Sequence, residues 1–465
     1  MKTMATDVRI MELEVRFTYK TRRAQLKFGG SVKGPSARSG AGLNVTALVE
    51  TRDGRRAVGR GSMVLGSAWS WPSQVVPSFM VTDFMRNLAV RYGGELRKRD
   101  EYGHPMEHAL ETEELLLDLA NEMVEQYAPG EAMPRMCALV VGAAFDAALH
   151  DAFGHALGLD AYATLGPEHM SWDLSRYLGA AFKDRYPADY VKPRYDATLP
   201  VFHLVGGNDP LTPADVGPDD PHDAYPTDLV AWVKRDGVFC HKVKLRGNDL
   251  VWDVDRTVSV FRVVREALAE SGRAEVYLTS DANEMCEDVE YVIHYLNQVR
   301  ERSPEAYDAL LYVEQPTTRR LFERPLDVGR AARLKPILAD EALSGLEAMD
   351  EALRQGYTGV ALKTCKGHST ALLMLAKATE AGVPYSVQDL TLTGLGLIQS
   401  VGLAGRIRPI MGVEANARQF CPDASRRAEQ VHPGIFRARD GLLDLSSLRG
   451  AGLGYQYEAF DPLVV

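Results

Sequence analysis

The sequence predicts an α/β protein: a parallel (β/α) barrel preceded by an antiparallel meander and a group of helices. Three observations carry that expectation. From Leu199 onward, eight short apolar segments alternate with helical stretches. Before Leu199 the texture differs, with long alternating segments followed by three helical patterns. Finally, five consecutive barrel segments carry a lysine or a carboxylate near their C-terminal ends.

Between Val8 and Phe17 the apolar residues Ile10, Leu13, Val15 and Phe17 alternate with charged ones, which predicts a half-buried strand. A second alternating run, Leu43, Val45, Ala47 and Val49, leads into Asp53-Gly54, a hairpin signal. The long Gly- and Ser-rich connection between these runs is expected as a mobile loop, either a functional lid or a disordered segment. Helical periodicity follows over about 78–93, 106–128 and 133–157. Residues 166–226 are irregular and include the proline-rich, acidic "GPDDPHDAYP".

The eight barrel strands are expected at "LPVFHLV", "VFCHKVKL", "EVYLTSD", "LLYVEQP", "KPILADE", "TGVALK", "VPYSVQD" and "RPIMGVE". A doubly wound open sheet is the alternative, but no GxGxxG follows the first strand.

The chain has 465 residues, 46% hydrophobic and 25% charged, as in ordinary globular proteins. Its net charge of −10 argues against nucleic acid and anionic membrane surfaces as partners. Five scattered cysteines (Cys137, Cys240, Cys286, Cys365 and Cys421), none in a CxxC pair, suggest reduced thiols. With no signal-peptide pattern and no membrane-length apolar run in view, a cytoplasmic location is expected.

The chemistry concentrates at the strand ends. Lys242 and Lys244, two residues apart, share one face of the second strand, where their charges repel. The third, fourth and fifth strands end in Asp281, Glu314 and Asp340, and the sixth ends in Lys363. The intervals Lys244 to Asp281 (37), Asp281 to Glu314 (33), Glu314 to Asp340 (26) and Asp340 to Lys363 (23) each match one βα repeat. A barrel brings these ends to one face. Three converging carboxylates need a cation, and an all-oxygen set suits Mg²⁺, with Mn²⁺ as a competitor. A neutral lysine can act as a base, and neighbouring positive charge lowers its pKa.

That ordered series resembles the enolase superfamily, and within it the muconate-lactonizing-enzyme-like members of the mandelate racemase/muconate lactonizing enzyme family. "LKFGG", "VETRDGRRAVGRG", "AAFDAALHDAFGHALGLDAYATLG" and "RDGLLDLSSLRGAGLGYQ" extend the likeness along the chain. The resemblance implies a modified TIM barrel of (β/α)7β type. An α+β capping domain would be formed by the N-terminal region and the C-terminal tail. The implied boundaries are 1–160 for the cap and its helices, 161–430 for the barrel and 431–465 for the return to the cap.

It further implies Asp281, Glu314 and Asp340 as metal ligands, and Lys244 and Lys363 as acid/base residues on opposite faces. Lys242 would lower the pKa of Lys244 and help bind the substrate carboxylate. Asn283, Glu341, Asp389, Glu414, Asn416 and Phe28 would lie near a small-molecule carboxylate substrate, and a homo-oligomer is expected. The implied reaction is abstraction of the proton α to a carboxylate, leading to racemisation, epimerisation, cycloisomerisation or dehydration. A Schiff-base aldolase using Lys363, or a catalytically silent binding protein, remain the rivals.

Departures from the family pattern narrow this. Gln388 and Asp389 stand where a His/Asp dyad would need its histidine, and "VEANARQF" lacks Asp-x-Asp. Lys366 and His368 in "CKGHS" are expected at the surface, with extra anion contacts as the alternative, and His203 is expected in barrel packing. Trp69 and Trp71 either wall the substrate or pack cap against barrel.

Overall fold

The computed structural model describes residues 3–23 and 39–457. At the N-terminus, β1 (Val8–Thr21), β2 (Ser39–Thr51) and β3 (Arg56–Val64) form an antiparallel sheet in the order β1-β2-β3. Both strands of the first pair run further than their alternation predicts, with pairing carried to Thr21↔Ser39. The β2–β3 turn is the predicted one: Gly54 takes φ +88° and Thr51 N–H donates to Arg55 O at 2.8 Å.

Three helical regions follow, as the periodicity predicts, with one break; the first and third pack on the sheet and the middle one packs on them. The segment expected as a single helix divides into Pro105–Glu111 and Glu113–Tyr127. At the break, the Thr112 hydroxyl donates to the His108 carbonyl at 2.6 Å and pairs with the Tyr92 hydroxyl at 2.7 Å. A side chain that satisfies the backbone locally competes with helix continuation.

The helix Arg135–Leu157 is apolar almost all round and is buried against the sheet, which marks a core helix. It is the only helix among the described residues long and apolar enough to cross a membrane, and 94% of that window is buried within the fold. Its alanines meet glycines of β3. A Cβ at Gly59 would lie 2.1 Å from Ala152 N, and one at Gly61 only 2.0 Å from Ala144 O.

Eight strands then form a parallel barrel: β4 (Thr198–Val205), β5 (Cys240–Lys244), β6 (Tyr277–Asp281), β7 (Leu310–Glu314), β8 (Ile337–Ala339), β9 (Gly359–Leu362), β10 (Tyr385–Val387) and β11 (Val413–Glu414). Seven fall inside their predicted segments, and β4 starts one residue earlier than predicted, at Thr198. The ring closes where β11 pairs with β4, in the register Val413↔Val201 and Glu414↔Phe202. The strands are nearly all buried, as expected of a sheet filled inside and covered outside by helices.

β11 is followed by short helices alone, Ala417–Phe420, Arg426–Val431 and Pro433–Phe436, and by no full-length barrel helix, consistent with a (β/α)7β arrangement. The strand β12 (Leu442–Asp444) adds antiparallel to β4. The chain then returns to the N-terminal region, where Leu453 N–H donates to Asp151 at 2.8 Å and the Tyr457 hydroxyl to Val58 O at 2.6 Å.

The glycine contacts generate a paired prediction. Gly61→Ala should destabilise the protein by about 1–3 kcal/mol through overpacking against the helix backbone. Gly94→Ala, inside the helix Ser78–Leu96 with open space around it, should instead stabilise by about 0.5–1 kcal/mol. Urea unfolding midpoints of the two variants should move in opposite directions.

Candidate active site

Strand register assembles the charged residues. Lys244 lies beside Asp281, Asp281 beside Glu314, and Glu314 beside Leu338, two residues before Asp340. Alternation along β5 turns Lys242 and Lys244 to the same side, and both enter the barrel mouth. Lys363 follows β9, four strands from β5 in a ring of eight. The two acid/base candidates therefore stand on opposite sides, with the three carboxylates on the strands between them.

All these groups are buried, and each carboxylate meets an ammonium. Lys242 Nζ donates to Glu314 at 2.8 Å and to Glu414 at 2.9 Å, and lies 3.1 Å from Asp281. Lys244 Nζ bonds Asp281, and also Asn283 Oδ1 at 2.9 Å. Lys363 Nζ donates to Asp340 Oδ2 at 2.5 Å.

The resulting electrostatics are uneven. Burial opposes ionisation of Asp281, but Lys244 and Lys242 outweigh it and draw the carboxyl down to about 2. Burial of Asp340 is likewise outweighed by Lys363 and Lys366, and its carboxyl is lowered. Glu314 goes the other way: burial and then the Asp281 charge raise it well above its ordinary value, against Lys242. Burial alone would lower Lys242, yet Glu314, Glu414 and Asp281 raise it, and Asp340 does the same for Lys363. At Lys363 burial and the opposing charge of Lys242 are both outweighed by its carboxylate neighbours, Asp340 foremost.

A cavity of about 530 Å³ opens above this cluster. Lys242, Lys244, Lys363, Asp281, Asn283, Glu341, Asp389, Glu414 and Asn416 all border it. Glu314 and Asp340 lie fully buried beneath. Phe28 falls outside the described residues. Burial, and then the charges of Asp340 and Asp281, push the Glu341 carboxyl up to about 7. Burial pushes Asp389 up to about 7 as well, although it accepts the N–H groups of Leu392 and Asn416, each at 2.6 Å.

Among the described residues no three His, Cys, Asp or Glu side chains are gathered at metal-ligand spacing. The donor chemistry nevertheless fits a hard divalent cation: three buried carboxylates, no soft ligand, and a Glu314 carboxyl raised by burial and by its anionic neighbours.

Two expectations are corrected. Lys366 and His368 are buried, not on the surface. Lys366 Nζ donates to the Asp340 carbonyl at 2.7 Å and to Oδ1 at 3.2 Å, which ties the turn after β9 to the end of β8. His368 packs its ring against His150 and Tyr162.

The tryptophan alternatives resolve differently for each residue. Trp69 Nε1 donates to Glu341 at 3.0 Å, and its ring lies 4.7 Å from Lys363 Nζ, so it walls the site. Trp71 packs on Phe84 and bonds Glu131. His203 is in barrel packing, against Trp232 and His241.

Other supporting residues had no signal beyond their place at strand ends. Gln388 Nε2 donates to Glu314 at 2.6 Å. Gln315 accepts the N–H groups of Asp340 and Ala342 at 2.8 and 3.2 Å. Arg319 holds Glu284 and donates to the Trp69 carbonyl at 2.9 Å, joining barrel loops to the N-terminal region.

Residues 226–459 match the family described as "Enolase C-terminal domain-like". The fold is similar to a dipeptide epimerase from Enterococcus faecalis complexed with Mg and L-Leu-L-Tyr (17% identity, 96% of this chain and 99% of that one, TM-score 0.60). It is also similar to muconate lactonizing enzyme from Pseudomonas fluorescens complexed with muconolactone (16%, 96% and 96%, 0.58). A third similar structure is the N-succinyl Arg/Lys racemase from Bacillus cereus (15%, 96% and 95%, 0.59). No curated protein sequence matches this chain.

The ion cluster predicts a pH-dependent cost for losing its central cation. Lys242 has a raised pKa, so its stabilisation is present below the ordinary lysine range and is lost only as pH climbs through the raised value. Lys242→Met should cost about 3–5 kcal/mol at pH 8, because Glu314 and Glu414 are left buried without their cation. The cost should shrink at pH 5, since the raised Glu314 carboxyl can take up a proton. Urea unfolding in EDTA at both pH values checks this, and a pH-independent penalty would contradict the pairing.

Proposed function

We propose, on the premise that this chain belongs to the enolase superfamily through its Enolase C-terminal domain-like barrel, that it abstracts the proton α to a carboxylate. The substrate is a small carboxylate or acid sugar, and the outcome is racemisation, epimerisation, cycloisomerisation or dehydration. One observation carries the reading: Lys244, ending β5, and Lys363, directly after β9, stand on opposite sides of the ring across a buried carboxylate triad. A carbon held between them can lose a proton to one face and receive one on the other.

Asp281, Glu314 and Asp340 would hold Mg²⁺, or Mn²⁺ in its place. When bound, the cation supplies positive charge against the charge that develops on the substrate carboxylate. Lys242, kept cationic by Glu314, Glu414 and Asp281, adds to that field from the protein side. Asn283, Glu341, Asp389, Glu414 and Asn416 offer the polar contacts that orient the substrate. Trp69 covers Lys363 and keeps water from it. The names of the similar structures, an epimerase, a racemase and a lactonizing enzyme, fit this reaction class.

Incubation of acid-sugar, N-acyl amino-acid and cycloalkene carboxylate panels in D₂O with Mg²⁺ should reveal α-deuterium incorporation by NMR. EDTA should abolish it, and Lys244→Ala or Lys363→Ala should slow it by about 10²–10⁴-fold. Exchange at the wild-type rate in both variants would sink the two-lysine assignment.

A further inference from the structure

A second concentration of charge lies away from the barrel mouth. The helix Leu229–Asp236, the segment after β11 and the segment before β12 enclose a cavity of about 380 Å³, which shares no lining residue with the candidate active site. Four arginines border it, Arg235, Arg418, Arg437 and Arg439, against two carboxylates, Asp236 and Glu429. In a chain of net charge −10, this wall therefore carries a local positive surplus.

Arg418 sits deepest, with its side chain only 3% exposed. Its Nη1 donates to Asp236 Oδ2, while Nε and Nη2 are buried with no hydrogen-bond partner among the described residues. Asp236 is also shared, since Arg235 donates to it through Nε at 2.7 Å and Nη2 at 3.2 Å. Glu429 is taken by Arg437. Burial weakens the hold of Arg418 on its proton; Asp236 opposes that shift and Arg235 adds to it. A buried guanidinium with two idle donors and half a counter-charge is costly unless something completes it. Arg437, at 73%, and Arg439 form the exposed rim, whereas Arg235 is held by Asp236 and lies 4.3 Å over the Trp232 ring.

We propose that this cavity binds a small oxyanionic molecule carrying at least two negative charges. The planar donor forks of arginine match phosphate and carboxylate oxygens, and the volume falls within the range of small-molecule sites. The surplus of two positive charges along the wall sets the ligand's charge. Arg418 forms the floor, and Arg437 and Arg439 close over the anion. The site stands independently of the function proposed for the barrel mouth.

Isothermal titration of the full chain with inorganic phosphate, and separately with citrate, at constant ionic strength and without divalent metal, tests this. One equivalent of at least one anion should bind, and the preferred anion distinguishes phosphate from carboxylate chemistry. The surface double variant Arg437→Gln/Arg439→Gln should weaken binding roughly tenfold or more, and Arg418→Met should abolish it. Lys244→Ala, which alters the other anion-attracting site, should bind as wild type does. Absence of binding to both anions, an unchanged affinity in the double variant, or loss of binding in Lys244→Ala would each overturn the proposal.

Discussion

The structure depends on a buried network of alternating charge at the C-terminal end of the barrel. Lys242 is the pivot, because its single ammonium touches Glu314 and Glu414 and lies close to Asp281. Burying one such carboxylate alone is prohibitive, and burying several in contact is worse. Interleaving lysines make the cluster tolerable without making it neutral at every atom, which is why Glu314 is pushed up while Asp281 and Asp340 are drawn down. The same imbalance makes the cluster receptive to a divalent cation.

The scaffold around the network is arranged to keep it in place. Gln315 adopts φ +27° and Asn283 φ +44°, left-handed backbone that non-glycine residues seldom hold. Both sit just past strand ends, and both are tied to the charged groups. Gln315 anchors the backbone of Asp340, and Asn283 bridges Asp281, Lys244 and Glu341. From the N-terminal side, Trp69 is clamped to Glu341 through its indole and to Arg319 through its carbonyl. The close seating of β3 on the helix Arg135–Leu157 fixes the base from which that tryptophan reaches over the barrel.

Much of this was legible beforehand, for particular reasons. The parallel strands announce themselves as short apolar runs because both of their faces are buried. The lysine pair on β5 stands out because alternation forces both charges to one side. The helix break at Thr112 was not legible, since it depends on a hydroxyl meeting His108 and Tyr92. Lys366 and His368 were misplaced because the turn after β9 folds inward, and nothing local in "CKGHS" encodes that direction. Gln388 and Gln315 are ordinary glutamines until tertiary structure aims them at Glu314 and at the Asp340 backbone.

By itself, the sequence determined the order of elements, the identity of the strand-end charges and their spacing of one βα repeat. Those are properties of local periodicity and chain length, and they suffice to place Lys244 and Lys363 four strands apart. Only the tertiary structure decided which ammonium meets which carboxylate, that Lys366 joins them, and that Trp69 roofs the site while Trp71 does not. It alone revealed Arg418, an unremarkable residue in "NARQF", buried with idle donors beside three other arginines. Pairing of charges depends on distances of a few ångströms between residues far apart in the chain, and those distances come into being only when the barrel closes.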